Sequence, residues 1–172
     1  MIMAAGESKR FGSCKQLSQI SEQHSLLSHA VEQAKNAQIG PVYVVTGRWH
    51  NEIERAQQDG KLKTAPLLYC SNWAEGLGST IAYASAILAP KYDALLITLA
   101  DQIALSSDDY VQLVNSTTTE HIVCSHYAGK RGVPAVFPAC YFPLLSQLNG
   151  EHGARHILRN EQLPIQEVNL PH

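Results

Sequence analysis

The stretch Ala94-Leu-Leu-Ile-Thr-Leu-Ala100-Asp101 is the clearest buried strand in the chain. A nearly continuous apolar run of this kind suits the middle of a parallel sheet, where helices cover both faces. Ligands of open α/β sheets gather in the crevice at the carboxyl ends of the strands, so Asp101, directly after the run, stands where one is expected. A carboxylate there suits Mg2+, a hard cation that takes oxygen ligands and commonly bridges protein to nucleotide phosphates.

Apolar runs and helical patterns alternate on either side of this strand, which argues for a layered α/β sandwich around a mainly parallel sheet. Met1–Ala4, Val42–Thr46 and Leu67–Cys70 read as further strands. Ser25 is placed to cap a helix carrying Leu26, Leu27, Ala30, Val31 and Ala34 at helical spacing, stopped by Gly40-Pro41. Trp49, Ile53 and Ala56 outline a second helix that ends near Gly60. Ser79–Leu88 reads as an Ala-rich helix, and Ser106 or Ser107 opens another through Val114, with Asp108 and Asp109 in its first turn. Ile122–Cys124 and Val133–Phe137 flank the Gly129–Gly132 turn as strands, and Pro134 marks the latter as an edge or irregular strand. Helices over Tyr141–Leu148 and Ala154–Arg159 complete the reading.

The chain of 172 residues is read as one domain, 1–172, large enough for a proper core. Hydrophobic residues make up 45% and charged residues 16%, which excludes general disorder. With 13 Lys+Arg against 15 Asp+Glu, no general attraction to nucleic acid or acidic membranes is expected. No apolar run is long enough to span a bilayer and none resembles a signal peptide, so a cytoplasmic protein is expected. Cys14, Cys70, Cys124 and Cys140 are widely spaced and read as free thiols; Cys14, beside cations, is either a thiol of lowered pKa or an inert loop residue.

Local charge is concentrated at the start. Met1-Ile-Met-Ala-Ala-Gly-Glu-Ser-Lys-Arg-Phe-Gly-Ser-Cys-Lys-Gln-Leu17 runs from a strand into a loop with Gly6 and Gly12, where Lys9, Arg10 and Lys15 face only Glu7. Glycines bring backbone N–H groups close to a ligand, and cations beside those donors suit a polyphosphate. The spacing matches neither a Walker A loop nor the Gly-x-Gly-x-x-Gly dinucleotide fingerprint. Gly6-Glu-Ser-Lys-Arg10 lacks the second Gly of a nucleophile elbow, which leaves serine hydrolysis unsupported. His152 and His156, four apart on a helix face, have no third ligand or general base spaced for a metal site.

The pattern Ala-Ala-Gly-x-Ser-x-Arg-Phe-Gly-x-x-Lys-Gln-Leu over residues 4–17 resembles the signature loop of the nucleotidyltransferases, most closely the molybdenum cofactor cytidylyltransferase group. Leu99-Ala-Asp-Gln102 is similar to the metal-binding segment of that group, and Asn72-Trp-Ala-Glu-Gly-Leu-Gly-Ser-Thr-Ile81 to its base- and ribose-facing loop. Gly132–Phe137 and Leu148–Arg155 resemble its acceptor side. The resemblance implies a three-layer α/β/α sandwich with a Rossmann-like sheet of the nucleotide-diphospho-sugar transferase type. It implies Mg2+-dependent transfer of CMP from CTP to the phosphate of molybdopterin, with pyrophosphate released and a molybdoenzyme receiving the product.

On that reading Arg10 and Lys15 hold the triphosphate, and Ala4, Ala5, Gly6 and Gly12 form its backbone cradle. Gly78 and Ser79 face the nucleoside, Asp101 holds the metal, and Gly132, Pro134 and Arg155 lie toward the acceptor. Ala5 resembles the cytidine-using branch; the guanine-using branch usually has Gly there. Family members usually carry an acidic Asp-x-Asp-Thr-Pro-type segment, and Glu167-Val-Asn-Leu-Pro-His172 stands where it is expected. That departure keeps alternatives open: a GTP-using or sugar-phosphate nucleotidyltransferase, or a non-catalytic nucleotide or molybdopterin carrier or sensor.

Overall fold

The computed structural model describes residues 1–8 and 10–171. Lys9, counted above among the loop cations, and His172 lie outside the described residues. Among the described residues seven strands form one sheet: β1 (Ile2–Ala4), β2 (Val44–Thr46), β3 (Leu67–Tyr69), β4 (Ala94–Leu99), β5 (Ile122–Tyr127), β6 (Lys130–Pro138) and β7 (Ile165–Asn169). Their spatial order is β3-β2-β1-β4-β6-β5-β7. Four pairings are parallel, β1 with β2 and β4, β2 with β3, and β5 with β7; β6 runs antiparallel to both of its neighbours.

Six α-helices among the described residues cover the two faces: α1 (Leu26–Asn36), α2 (His50–Gln58), α3 (Leu77–Leu88), α4 (Ser107–Asn115), α5 (Phe142–Ser146) and α6 (Arg155–Leu158). Strand side chains alternate between faces, which divides the core in two. Ile2, Ala4 and Val44 pack with α1, α2 and α4, through residues such as Leu27, Ile53 and Leu113. Met3, Val45 and Ile97 pack on the other face with α3, α5 and α6, through Ile81, Leu145 and Leu158. The chain is a three-layer α/β/α sandwich with a mostly parallel sheet.

The helix-start signals read from sequence are realised at α1 and α4. Ser25 and Ser28 exchange side-chain-to-backbone bonds in a capping box at the start of α1. At α4 the Asp109 carboxylate accepts from the Ser106 backbone N–H at 2.9 Å.

Three expectations need correction, and one is resolved between its two alternatives. Strand β6 is interior, lying between β4 and β5, so of the two expectations for Pro134 the irregular strand holds and the edge does not. The ladder accommodates it through irregularity: Cys124 pairs with Ala135 but Ser125 with Gly132, so Val133 and Pro134 bulge out. A residue without an N–H belongs where the ladder is broken. The bulge carbonyls are taken by side chains, Val133 O by Gln102 Nε2 at 2.9 Å and Pro134 O by Ser125 Oγ at 2.6 Å. Strand β7 has no counterpart in the sequence reading, because Ile165-Gln-Glu-Val-Asn169 carries too few apolar residues to show a period. The helix expected over Tyr141–Leu148 is α5 alone, preceded by a 3-10 turn at Ala139–Tyr141. The small-residue helix expected from Ser79 begins earlier, at Leu77, with Gly76 at its N-cap.

Candidate active site

Strands β1 and β4 are parallel neighbours, so the segments that follow them emerge side by side. The ladder is zipped to its end, with Ala100 N–H donating to Met3 O at 3.1 Å. Helix α1 covers one face of the sheet after β1 and α3 precedes β4 on the other. This change of direction about β1 is a topological switch point, where α/β sheets open a crevice. A cleft of about 400 Å³ lies there, its walls including Ala5, Gly6, Ser8, Lys15, Trp73 and Asp101.

Three contacts hold the loop after β1 in place. Trp49 Nε1 donates to Glu7 O at 2.9 Å, Gln16 Nε2 to Ala4 O at 3.4 Å, and Arg48 N–H to Ala5 O at 3.5 Å. Beyond Ser8 the chain turns tightly: the Phe11 and Gly12 N–H groups both donate to Ser8 O at 3.0 Å, and Gly12 takes φ 76°. Those two amides close the turn and are not turned toward a phosphate. Arg10 and Gly12 sit on this exposed turn and do not line the cleft. The chain then returns through a 3-10 turn at Lys15–Leu17. Lys15 Nζ reaches to 3.4 Å from Asp101 Oδ2, with the two side chains 47% and 50% exposed. An ammonium and a carboxylate thus stand together at the wall of the cleft, 86 residues apart in sequence.

Gly6 carries a different signal. A Cβ built there would meet no protein atom within 4 Å, and its φ is not positive, so folding does not demand glycine. Its missing side chain leaves room on the cleft wall for a ligand to approach the backbone. Ala4 and Ala5 are buried in the adjoining strand end.

The opposite wall comes from Trp73, Gly76, Leu77 and Thr80. Here the glycines answer to the protein itself. A Cβ on Gly76 would lie 2.5 Å from Gly150 O, and one on Gly78 would lie 2.5 Å from Asn149 O. Gly78 N–H donates to Gly150 O at 2.8 Å, tying the start of α3 to the 149–151 loop. Gly78 and Ser79 are buried behind the wall, and Thr80 Oγ1 donates to Leu77 O. Trp73 is half-buried and packs over Gly47, where a Cβ would lie 2.5 Å from its Cβ and 2.6 Å from Ala5 O.

Several positioning residues escaped the sequence reading. Gly47 directly follows the carboxyl end of β2, and a glycine at that place signals a backbone crossing. Gln102 has its side-chain oxygen accepting from Leu99 N–H at 3.1 Å and its amide donating to the β6 bulge, which fixes the Asp101 turn against the sheet. Gln16 and Trp49 act on backbone carbonyls, a role that no residue pattern announces.

The remaining candidates separate from the cleft. Pro134 is buried and Gly132 half-buried near the β5–β6 hairpin, on the far side of Asp101. Arg155 is exposed on α6, a helix that packs on the α3 face. Burial raises the Cys14 thiol pKa despite the nearby cations, which fits the inert reading. All four cysteines are free. The His152 and His156 rings stack edge-on 5.5 Å apart, and no cluster of three metal-ligating side chains occurs among the described residues.

Residues 1–167 match the sequence pattern of the MobA-like NTP transferase domain. The chain belongs to that family. The MobA-like chain is 29% identical over 173 residues to the purine catabolism protein PucB of Bacillus subtilis, covering 95% of this chain and 81% of that one. Its fold superposes on Rv0371c of Mycobacterium tuberculosis, solved in complex with manganese, with a TM-score of 0.82 at 19% identity, over 98% and 85% of the two chains. It also superposes on a cytidylyltransferase from Leptospira borgpetersenii at TM-score 0.71 and 14% identity, over 99% and 74%. No helix among the described residues of the MobA-like chain is long and apolar enough to cross a membrane.

Proposed function

We propose that this MobA-like nucleotidyltransferase transfers CMP from CTP to the phosphate of molybdopterin, releasing pyrophosphate, and passes its product to a molybdoenzyme. The observation that carries the reading is the Lys15–Asp101 pair, 3.4 Å apart on a cleft at the carboxyl ends of β1 and β4. The cleft has the size of a small-molecule site. Its cationic and anionic groups stand where a triphosphate and its counter-ion would both find partners.

The residues present fit Mg2+. This ion usually keeps several waters and takes one or two protein carboxylates together with substrate phosphates. Asp101, half-exposed on the wall, offers one such carboxylate. Bound there, the ion would screen charge on the triphosphate oxygens.

The transfer needs no protein nucleophile. An oxygen of the acceptor phosphate forms a bond to the α-phosphorus, the α–β bridging P–O bond breaks, and its electron pair leaves with pyrophosphate. What the chain contributes is position and fixed charge. Lys15 faces the charge growing on the leaving group. Gly6 lets the triphosphate lie against the loop backbone, and Arg10, on the exposed turn, supplies a second cation from outside the wall. Gly78 and Ser79 act from behind the wall by holding the first turn of α3 against the nucleoside. The alanine at position 5 favours CTP over GTP.

The test is pyrophosphate release with Mg2+ and either CTP or GTP, with and without molybdenum-loaded molybdopterin. Release only with CTP and the pterin is expected. Nucleotide binding without release would instead indicate a carrier. Asp101→Asn should abolish Mg2+-dependent CTP binding, and wild-type titration heats in that variant would overturn the metal assignment.

A further inference from the structure

The turn between β2 and α2 takes two carbonyl oxygens of the loop after β1. Arg48 N–H donates to Ala5 O at 3.5 Å, and Trp49 Nε1 donates to Glu7 O at 2.9 Å. Gly6, Glu7 and Ser8 line the cleft, whereas residues 47–49 do not. The turn therefore grips the loop from behind.

A trans peptide unit points its C=O and its N–H in opposite directions. Ala5 O shares a trans unit with the Gly6 N–H, and Glu7 O shares one with the Ser8 N–H. Each carbonyl held behind the loop thus turns one amide toward the cleft. Among the described residues neither the Gly6 nor the Ser8 N–H has a hydrogen-bond partner. In this they differ from the Phe11 and Gly12 amides, which close the turn on Ser8 O. Ser8 also takes φ 58°, a left-handed conformation that residues with a side chain seldom adopt. Such backbone persists where neighbouring contacts fix it, and amides grouped around it form anion-binding concavities.

The two grips differ in kind. Ala5 O is held by main chain, at a turn that Gly47 lets lie close: a Cβ there would stand 2.6 Å from that oxygen. Glu7 O is held by a side chain, and so by the choice of residue. Trp49 is half-buried and packs against the core on the α1 and α2 side of the sheet. The Arg48 guanidinium lies 4.1 Å from its ring centroid, a cation–π contact. Core and guanidinium together fix the ring that carries the N–H.

We infer that Trp49 is a positioning residue for the triphosphate: through Glu7 O it turns the Ser8 N–H into the cleft, where a phosphate oxygen accepts from it. Trp49 itself touches no substrate. The inference rests on the nucleotidyl-transfer reading of the cleft.

The experiment follows the isotope-labelled full chain by amide NMR while CTP and Mg2+ are added, and repeats the titration with cytidine. Wild type is compared with Trp49→Phe, which keeps an apolar ring and removes the indole N–H. In the wild type, CTP should move the Gly6 and Ser8 amide protons downfield. In Trp49→Phe the Ser8 response should be lost, while that of Gly6, whose peptide unit is held by main chain, remains. The Kd for CTP should rise about tenfold, as for loss of one charge-assisted hydrogen bond, and the Kd for cytidine should stay at the wild-type value. A tryptophan that only fills space would weaken both ligands together or neither, and either result overturns the assignment. So does a Ser8 amide that CTP leaves unmoved in the wild type, a measurement that needs no variant to fold. Failure of the wild type to bind CTP overturns the underlying reading, and this assignment with it.

Discussion

Replacing Lys15 with alanine separates catalysis from stability, because the structure assigns the two effects different sizes. The ion pair with Asp101 spans 3.4 Å, and both side chains are about half exposed. At that separation a unit pair attracts by about 1 kcal/mol in the dielectric of water. Exposed pairs measured in proteins contribute roughly 0.2–1 kcal/mol. Lys15→Ala should therefore lower Tm by no more than about 2–4 °C. The same ammonium, facing charge that grows in the transition state, should be worth about 2.7–4 kcal/mol, a loss of about 10²–10³ in kcat. The assay pairs a thermal melt with initial rates of pyrophosphate release from CTP and Mg2+ in the presence of molybdopterin. Turnover close to wild type in a folded Lys15→Ala protein would refute the role. So would a Tm collapse large enough to explain the lost rate by unfolding.

The two kinds of glycine give opposite outcomes. Gly78→Ala drives a Cβ to 2.5 Å from a backbone oxygen, and should cost about 1–3 kcal/mol in denaturant titrations, as overpacking does; Gly6→Ala should melt like the wild type yet bind CTP more weakly. The Arg131 guanidinium donates to Glu167 at 2.6 Å and holds its carboxyl below the ordinary 4.5. A depressed acid stabilises the fold above its unfolded pKa, and that contribution is lost as pH falls through the lower folded value. The pH-dependent part of the stability gap between wild type and Arg131→Met should therefore shrink below about pH 4.5, as followed by urea unfolding across an acid series. Cys140 is exposed, whereas burial pushes the Cys124 thiol up to about 11. Iodoacetamide at pH 8 with peptide mapping should find Cys140 modified first, and early labelling of Cys124 would contradict its placement in the core.

Much of the candidate site is legible from local chemistry. Asp101 was placed by the apolar run before it, and Lys15 by its loop beside glycines. The two halves of the cleft follow from the rule that parallel neighbours end at the same edge. The helix α3 starts before Ser79 because Gly76, with a backbone only glycine adopts readily, opens it there. Pro134 signals a break in the ladder, and a proline alone does not say whether the break is an edge or a bulge; the interior place of β6 makes it a bulge. Arg10, on an exposed turn, and Arg155, on α6, both lie off the cleft lining, because charge alone does not say where a cation stands in the fold.

Local pattern by itself determined the layered α/β architecture, the order of most elements and the choice of Lys15 and Asp101 as separate candidates. Each depends on the spacing of apolar residues or on a group standing at a strand end, and such information is carried within a few neighbouring residues. Only the tertiary structure decided that β6 is interior, that Gly76 and Gly78 serve the 149–151 loop, and that the 47–49 turn takes the carbonyls of Ala5 and Glu7. Those facts depend on which backbone segments approach one another across long stretches of chain. Such proximity arises when the two cores close on the sheet, and no short run of residues records it.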